Sequence, residues 1–359
     1  MHKTLFIPGP TEIKEEVLRA SSRAMIGHRT KEYQKLQKTC TDGLRWIFDV
    51  PDNYQVFVST SSATGVMEAC VRNLVNSRSM HTACGAFSSK WGQIAKQNGK
   101  NPEIYDVGFG KGIHPANLRL RLRQEKFDAC FLTHCETSTG VMNPLEGIDR
   151  VMDDFPDTLL CVDAVSSAAG VPIRISQLKN VDVLLFGLQK CFAGPPGVAF
   201  AIVSPRAMDR AKTVENRGHY LDFLTWAKKA EKDQTHVTPP IPQLFSLVKQ
   251  IERIKEEGLD QRFKRHKEMA DTVRSWAKEF FDLFPEEDFY SDTVTCIQNI
   301  RELSVAKLNE ELALRGKMIS NGYGDLKEKT FRIGHMGDHD LNAILDLLSD
   351  IEEIWNLKL

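Results

Sequence analysis

The sequence predicts an α/β fold with a mostly parallel central sheet, followed by a smaller α+β domain. Over about the first 250 residues, short apolar runs alternate with amphipathic stretches. Several runs are apolar almost throughout, which is typical of strands covered on both faces. Strands that alternate with helices indicate a parallel sheet. We expect strands at 55–60, 81–85, 127–133, 158–164, 182–187 and 197–203, and helices at 64–75 and 89–99.

The pattern changes near residue 250, and the change predicts the second domain. Residues 241–281 form a long, charged, amphipathic stretch, which predicts a helix interrupted around Gly258. The remaining elements that we expect are strands at 293–300 and within MISNGY and TFRIG, and helices at 304–316 and from about Asp338.

The length of 359 residues also favours two domains. We divide the chain into an N-terminal arm (1–15), a large domain (16–257) and a small C-terminal domain (258–359). The arm contains FIPGPTEI, in which Pro and Gly interrupt regular structure. We expect it to run over the surface of the large domain.

Charge and hydropathy exclude several classes of partner. The formal net charge is −1, so no overall field attracts the protein to nucleic acid or to an anionic membrane. The first residues lack the apolar core of a signal peptide, and no apolar stretch is long enough to span a bilayer. We therefore expect a soluble, cytoplasmic protein that binds neither nucleic acid nor membrane.

The eight cysteines indicate neither a metal site nor a disulfide framework. None forms a CxxC pair, and several lie in apolar runs, where cysteine usually acts as a small buried hydrophobe. We expect reduced, structural cysteines and no metal. Cys191 differs from the others because it directly follows Lys190.

Four pieces of the chain carry residues suited to chemistry, and each also has a purely structural interpretation. The first is residues 59–65, STSSATG, between an apolar strand and an amphipathic helix. Small residues let backbone N–H groups approach an anion there, and the helix N-terminus adds partial positive charge. The functional interpretation is a phosphate cradle. Taken alone, an ordinary Ser/Thr helix cap is favoured.

The second and third pieces are Asp163 and Lys190, each at the end of an apolar strand. A carboxylate in that position lies where open α/β sheets bind ligands, although a capping Asp in a turn fits equally well. Lys190 either extends into solvent or is held in a site where burial lowers its pKa. A lowered pKa gives the neutral amine that Schiff-base chemistry needs.

The fourth piece is Arg332, between Phe331 and Ile333 in a predicted strand of the small domain. The planar guanidinium suits a substrate carboxylate, which it can bind through two hydrogen bonds. A salt bridge between the domains is the structural alternative.

The order and placement of these pieces resemble the class V aminotransferases, which have the fold type I of pyridoxal 5'-phosphate (PLP) enzymes. The resemblance is to the group of alanine–glyoxylate, serine–glyoxylate and serine–pyruvate aminotransferases. It covers nearly the whole chain and rests on FIPGPTEI, IGHRTKEY, HCETSTGVMNPL, VDAVSSAAGVPI, QKCFAGPPGVAFAIVS and FRIGHMGD. It implies PLP as cofactor, a mostly parallel seven-stranded sheet in the large domain, and a homodimer with shared active sites.

The resemblance also implies roles for single residues. Lys190 is similar to the Schiff-base lysine and proton shuttle, Asp163 to the partner of the pyridinium nitrogen, and Arg332 to the arginine that binds the substrate α-carboxylate. Gly9, with Pro10, would help to position the substrate. The other implied cofactor contacts are Ser62, Ala63 and Thr64 in the phosphate loop, Gln189 at the phosphate, Ser138 at the ring substituents, Phe87 stacked on the ring, and Thr238 at the phosphate across a dimer interface.

This chain departs from the family pattern at two of these places. Phe87 lies where relatives often carry tryptophan, and the nearby Trp91 fits the alignment less well. Stacking on phenylalanine is physically adequate, because offset aromatic pairs contribute about 0.5–1.5 kcal/mol beyond area burial. Residues 61–64, SSAT, replace a frequent Gly-Ser-Gly, which adds side-chain bulk at the phosphate loop.

The implied activity is ping-pong transfer of an amino group from alanine or serine to glyoxylate or pyruvate. A single carboxylate-binding arginine favours small donors over dicarboxylates. The first alternative is 2-aminoethylphosphonate–pyruvate transamination. Its substrate needs extra cationic groups for the phosphonate, for which Arg29 or Arg217 could serve, although the sequence does not place them near the site. A desulfurase would need a mobile cysteine, whereas Cys296 lies in a predicted strand.

Two alternatives lie outside catalysis of this kind. A PLP-fold subunit without turnover is a distant alternative, because a copy without activity would have little reason to keep Lys190, Asp163 and Arg332. A nucleotide-binding α/β protein is weaker still, since the sequence contains neither GxGxxG nor GxxxxGK[ST].

Overall fold

The structure, a computed structural model, describes residues 2–358. The α-helices of this part of the chain are α1 (Glu15–Ser21), α2 (Lys31–Phe48), α3 (Ala63–Leu74), α4 (Ala86–Gln97), α5 (Pro115–Leu122), α6 (Leu145–Val151), α7 (Pro205–Thr213), α8 (Phe223–Ala230), α9 (Ile241–Glu257), α10 (Leu259–Phe280), α11 (Val305–Leu314) and α12 (Leu341–Trp355). The strands are β1 (Thr4–Phe6), β2 (Gln55–Ser59), β3 (Arg78–Ala83), β4 (Asn101–Asp106), β5 (Ala129–Thr133), β6 (Cys135–Glu136), β7 (Val141–Met142), β8 (Leu159–Asp163), β9 (Val181–Gly187), β10 (Ala199–Val203), β11 (Asp282–Leu283), β12 (Val294–Gln298), β13 (Lys317–Asn321) and β14 (Thr330–Gly334).

A seven-stranded sheet forms the centre of the molecule, in the order β2-β10-β9-β8-β5-β3-β4. Strand β10 is antiparallel to both of its neighbours, and the other pairs are parallel. Successive side chains of a strand point to opposite faces of the sheet, so they pack into two different apolar cores. Val56 and Val58 of β2 pack with α2 and α9, whereas Phe57 packs with α3 and α8. The prediction of an α/β fold with a mostly parallel seven-stranded sheet is confirmed.

Strand β4 was not predicted, because its sequence lacks the apolar character of the other strands. It lies at the edge of the sheet, pairs only with β3 among the strands of residues 2–358, and contains Pro102. Proline is tolerated at an edge, where no second neighbour needs its missing N–H group.

A second sheet, in the order β1-β13-β14-β12-β11, belongs to the C-terminal part of the chain. Helices α10, α11 and α12 cover it with a separate apolar core that includes Val273, Leu308 and Leu347. The two helical parts of the predicted 241–281 segment are α9 and α10. They are separated at Gly258, which has a φ of 80°.

The N-terminal arm corrects one expectation. Its first part does not lie on the large domain, because β1 pairs in parallel with β13 and forms an edge of the second sheet. The following residues do reach the large domain, where the N–H group of Thr11 donates to the carbonyl of Gln189 at 3.0 Å. The arm therefore connects the second sheet to the segment that carries Lys190.

Two further observations concern sequence features. None of the helices within residues 2–358 combines the length and the apolar character needed to cross a membrane. All eight cysteines, which lie within that range, are unpaired and buried. Cys296 lies in β12, as the sequence predicts.

Candidate active site

A cavity of about 370 Å³ opens at the carboxyl ends of the parallel strands β5, β8 and β9. This edge is where open α/β sheets bind their ligands. Asp163 is the last residue of β8, and Lys190 follows β9 by three residues. The residues that line the cavity are Gly9, Pro10, Ser62, Ala63, Thr64, Met67, Phe87, Lys90, Cys135, Thr137, Asp163, Val165, Ser166, Gln189, Lys190 and Pro196.

Lys190 lies in the cavity wall beneath the N-terminal arm. Its Nζ donates a hydrogen bond to the carbonyl of Pro8. Gly9 packs on its stem so closely that a Cβ there would lie 2.4 Å from Cδ of Lys190. Burial lowers the pKa of Lys190 to about 8, with the nearby Arg332 charge acting in the same direction. A substantial neutral fraction of this amine is therefore present near physiological pH.

Asp163 supplies a carboxyl group to the same cavity and is only 4% exposed. One oxygen accepts a hydrogen bond from the N–H group of Val165 at 2.8 Å, and the other lies 3.5 Å from Oγ1 of Thr133. Burial raises the pKa of Asp163 to about 7, and the charge of Glu136 adds to this effect. A cation placed against this carboxyl group would favour its ionised form.

The first turn of α3 lines another part of the cavity with Ser62, Ala63 and Thr64. Ser62 occupies the cap position, but its side chain makes no capping hydrogen bond. The ordinary Ser/Thr cap, which the sequence alone favours, is therefore not formed. The N-terminal turn is consequently available to an anion.

Aromatic side chains lie on one wall of the cavity. Phe87, in the first turn of α4, lines it. The Phe87 ring centroid is 5.2 Å from that of Tyr323, which follows β13 in the second sheet. Nζ of Lys90 lies 5.4 Å from the centroid of Phe87. Trp91 does not line the cavity, because it is buried and donates to the carbonyl of Met67 at 2.9 Å.

Arg332 lies behind the wall formed by Thr137 and is 7% exposed. Its guanidinium donates to the carbonyl of Thr137 at 3.2 Å and to the carbonyl of Asn321 at 3.0 Å. Burial lowers the pKa of Arg332. Among the residues described, its hydrogen-bond partners are carbonyl groups rather than carboxylates, so the structural alternative of an inter-domain salt bridge is not formed.

A model of the family "Aminotransferase class-V" matches residues 8–312 of this chain. The chain belongs to the class V aminotransferase family. It is therefore a PLP-dependent aminotransferase, as the resemblance implies.

Individual relatives and solved structures are similar to this chain over nearly its whole length. It is similar to a Paracoccus denitrificans protein named L-aspartate–glyoxylate aminotransferase, with 30% identity over 93% of this chain and 86% of the relative. It is also similar to a Synechococcus protein named as the small subunit of a soluble hydrogenase, with 33% identity over 97% of this chain and 92% of the relative. An alanine–glyoxylate aminotransferase structure from Nostoc superposes with a TM-score of 0.92 and 25% identity, over 99% of this chain and 96% of that one.

The residues of the cavity fit the cofactor that the family implies. The α3 terminus suits a phosphate, Asp163 suits a protonated ring nitrogen, and the neutral form of Lys190 suits a carbonyl carbon. Gln189, predicted at the phosphate, also lines the cavity. The structure thus brings together Gly9, Ser62, Ala63, Thr64, Phe87, Asp163, Gln189 and Lys190.

Ser138 does not line the cavity of this aminotransferase. Its hydroxyl donates to Glu136 at 2.7 Å and accepts from the N–H group of Ala86 at 3.0 Å. The residue that lines the cavity is the preceding Thr137, whose hydroxyl contacts Ser166. The family resemblance implies the cofactor contact at Ser138, whereas in this structure the neighbouring hydroxyl residue Thr137 lines the cavity.

Thr238 and the proposed phosphonate-binding arginines also lie outside the cavity. The carbonyl of Thr238 accepts from Oγ1 of Thr60 at 3.2 Å, next to the phosphate loop of its own chain. Arg29 donates to the carbonyl of Thr235 at 2.6 Å, and Arg217 pairs with Asp222 at 2.8 Å. Neither arginine is placed in this chain to bind a phosphonate in the cavity.

Proposed function

We propose that this aminotransferase moves an amino group from a small amino acid, alanine or serine, to glyoxylate or pyruvate in two half-reactions. The position of Lys190 carries the proposal. Its amine, with a pKa of about 8, lies in the wall of a cavity that also contains Asp163 and the open α3 terminus. The names of two similar proteins include glyoxylate as acceptor, which supports the choice of a small keto acid.

PLP, when bound, supplies a carbonyl group for amines and a ring that withdraws electrons from the α-carbon. The residues of the chain then have distinct tasks. Nζ of Lys190 takes the α-proton of the amino donor, since a neutral amine with a pKa near the working pH is an effective base. Asp163 would accept a hydrogen bond from a protonated ring nitrogen, and that positive charge would keep its carboxyl group ionised. The arm around Gly9 and Pro10 covers the lysine and limits the access of water.

The substrate carboxylate would bind the Arg332 guanidinium. At present Arg332 donates to the Thr137 and Asn321 carbonyls, so binding requires part of this hydrogen bonding to be exchanged. A bidentate pair with a carboxylate is stronger than bonds to neutral carbonyls, which favours the exchange. We therefore propose Thr137 in addition to Arg332 as a residue of the substrate side.

Visible absorption of the PLP-loaded protein tests this function. Addition of L-alanine or L-serine should convert the absorption band of the lysine-linked cofactor to that of the aminated cofactor, and glyoxylate or pyruvate should restore it. Lys190→Ala is the control and should show neither conversion. A band that ignores alanine and serine but responds to aspartate would contradict the small-donor part, and a protein that takes up no PLP would contradict the whole.

We also propose a cytoplasmic homodimer with shared active sites. Thr238, which the resemblance places at the phosphate of a neighbouring subunit, has an exposed side chain that a second subunit could contact. The unpaired cysteines are typical of a reducing compartment. Light scattering should give twice the monomer mass. Thr238→Arg should weaken cofactor binding or dimerisation, and a monomer that transaminates at full rate would contradict this part.

A further inference from the structure

The structure assigns a positioning role to Glu136, a residue to which neither the sequence nor the family comparison gave a task. We propose that its buried carboxylate ties the first turn of α4 to the 137–138 segment, and thereby sets the position of Phe87 against the bound cofactor. This inference rests on the proposed function, since it concerns the same cavity.

Glu136 is fully buried, at 0% exposure, at the end of β6. Its carboxylate accepts hydrogen bonds from the N–H groups of Phe87 at 3.1 Å and Ser88 at 2.8 Å. It also accepts from the Ser88 hydroxyl at 2.7 Å and from the hydroxyl and N–H group of Ser138 at 2.7 and 3.1 Å. The donors among the described residues are thus all backbone amides and hydroxyls.

This environment suits an ionised carboxylate. A buried charge is tolerated only where hydrogen bonds replace its water, and charge-assisted bonds to N–H groups are strong. The N-terminus of α4 adds its partial positive charge. Gly85 leaves the space that the carboxylate needs, because a Cβ there would lie 2.5 Å from Cγ of Glu136.

The contacts of Glu136 lead directly to the cavity. Phe87, which donates its N–H group to Glu136, lines the cavity. Thr137, the residue after Glu136, lines the cavity too. The carbonyl of Thr137 in turn accepts from Arg332. One carboxylate therefore connects the aromatic wall, the Thr137 wall and the candidate carboxylate-binding arginine, without lining the cavity itself.

Asp128, the residue before β5, provides a control at the amino ends of the parallel strands, away from the cavity. Its carboxylate accepts from the N–H groups of Asn76, Ser77 and Arg78 at 2.8–3.1 Å, and it also pairs with Arg210 at 3.4 Å. It performs a similar anchoring task far from the cavity. Glu136→Gln and Asp128→Asn both remove an anionic acceptor, but only the first lies behind the cofactor wall.

The test compares wild type, E136Q and D128N for the PLP dissociation constant, and for the visible circular dichroism per bound PLP at saturation. We expect E136Q to bind PLP about tenfold to a hundredfold more weakly, since a bond to a charged acceptor contributes about 1.5–3 kcal/mol. Its dichroism should change, because a displaced Phe87 alters the asymmetric surroundings of the ring. D128N should lower the melting temperature yet keep both cofactor readouts within about twofold of wild type, because it lies outside the cofactor wall.

Wild-type affinity and dichroism in E136Q would overturn the inference, and so would equal changes in E136Q and D128N. If E136Q does not fold, Ser88→Ala removes one hydroxyl donor from Glu136 and should weaken PLP binding about threefold to tenfold, with an altered dichroism. An unaltered S88A would then overturn the inference. A wild-type protein that binds no PLP would instead contradict the proposed function itself, which separates the two failures.

Discussion

Arg262 and Lys190 are two basic residues at the segment 190–191, and they differ in their partners. Arg262 has carboxylate partners, whereas Lys190 has none within residues 2–358. Arg262, on α10, is 1% exposed and donates to Glu257 at 2.9 Å, to Asp338 at 3.1 Å and to the carbonyl of Cys191 at 2.6 Å. Lys190, the residue before Cys191, donates only to the Pro8 carbonyl among the described residues.

The difference separates a structural charge from a reactive one. Arg262 and Arg253 hold the pKa of Asp338 below its ordinary value, although burial of that carboxyl group acts in the other direction. At Lys190 burial outweighs the opposing effect of the Asp163 charge, and no carboxylate in the described part of the chain forms an ion pair with the amine, so the pKa of Lys190 falls to about 8. Partner groups, rather than burial alone, therefore decide whether a cation in this fold stabilises it or serves chemistry.

The largest expected effect is on catalysis at Lys190. Lys190→Ala should reduce transamination about a thousandfold to ten-thousandfold, since it removes the base that moves the α-proton. Its free energy of unfolding should fall less than that of Arg262→Met, because the lost amine has a hydrogen bond to Pro8 but no ion-pair partner among the described residues. The rate is measured from the half-reaction with L-alanine, and stability by urea denaturation. Retained turnover would contradict the claim that Lys190 is the catalytic base.

Arg262→Met should show the reverse pattern. The substitution removes the shorter of the two arginine contacts that the buried Asp338 makes within residues 2–358, and leaves Arg253 as the remaining cation. Breaking a buried pair costs about 3–5 kcal/mol of unfolding free energy. Lys267→Met on the same helix is the control, because its exposed ion pair with Asp271 contributes less than about 1 kcal/mol. Urea denaturation measures both, and similar losses in the two variants would show that Arg262 is not a special charge.

Gly9→Ala should lower both the rate of transamination and the free energy of unfolding, since Gly9 contacts Lys190. Its Cβ would meet the Lys190 stem at a φ of +100°, and we expect a loss of about 1–3 kcal/mol together with slower turnover. Gly99→Ala separates the causes: Gly99 has a φ of +71° and no atoms within 4 Å, so only the backbone cost of about 1 kcal/mol applies. Unaltered turnover in G9A would mean that the arm does not position Lys190.

The most gradual effect is a pH dependence of the unfolding free energy of the PLP-free protein. The pKa of Asp163 is raised from 3.8 to about 7, so the folded state binds more protons than the unfolded state between these values. Its contribution to the unfolding free energy is thus present at low pH and falls by about 1 kcal/mol per pH unit across that window. Comparison of wild type with Asp163→Asn by urea denaturation isolates this slope. Identical slopes in the two proteins would show that the pKa of Asp163 is not raised in the folded state.

The sequence was most informative where one local pattern decides one structure. The apolar runs of β5, β8 and β9 required burial on both faces, and their carboxyl ends located Asp163 and Lys190 in one cavity. Edge strand β4 has no such run, so it could not be recognised locally. The pairing of β1 with β13 joins residues about 300 positions apart, and nothing in FIPGPTEI names its partner.

Side-chain direction was the other quantity that the sequence could not supply. Thr137 and Ser138 are chemically alike, and the hydrogen bonds of Glu136 orient the second away from the cavity. Glu136 itself was missed because a buried carboxylate without a cation partner has no sequence pattern. The signal that could have found it is the proximity of HCET to a strand end, combined with the small residues of CGAFSS.

The pairing of β1 with β13 has a consequence for synthesis of the chain. The arm that covers Lys190 has no partner strand until β13, residues 317–321, has been synthesised about 300 positions later in the chain. Until then Pro8 and Gly9 have no anchored strand to hold them over the lysine. The large sheet does not depend on β13 and can form before it, whereas the arm can be held over the cofactor site only after β13 has paired with β1.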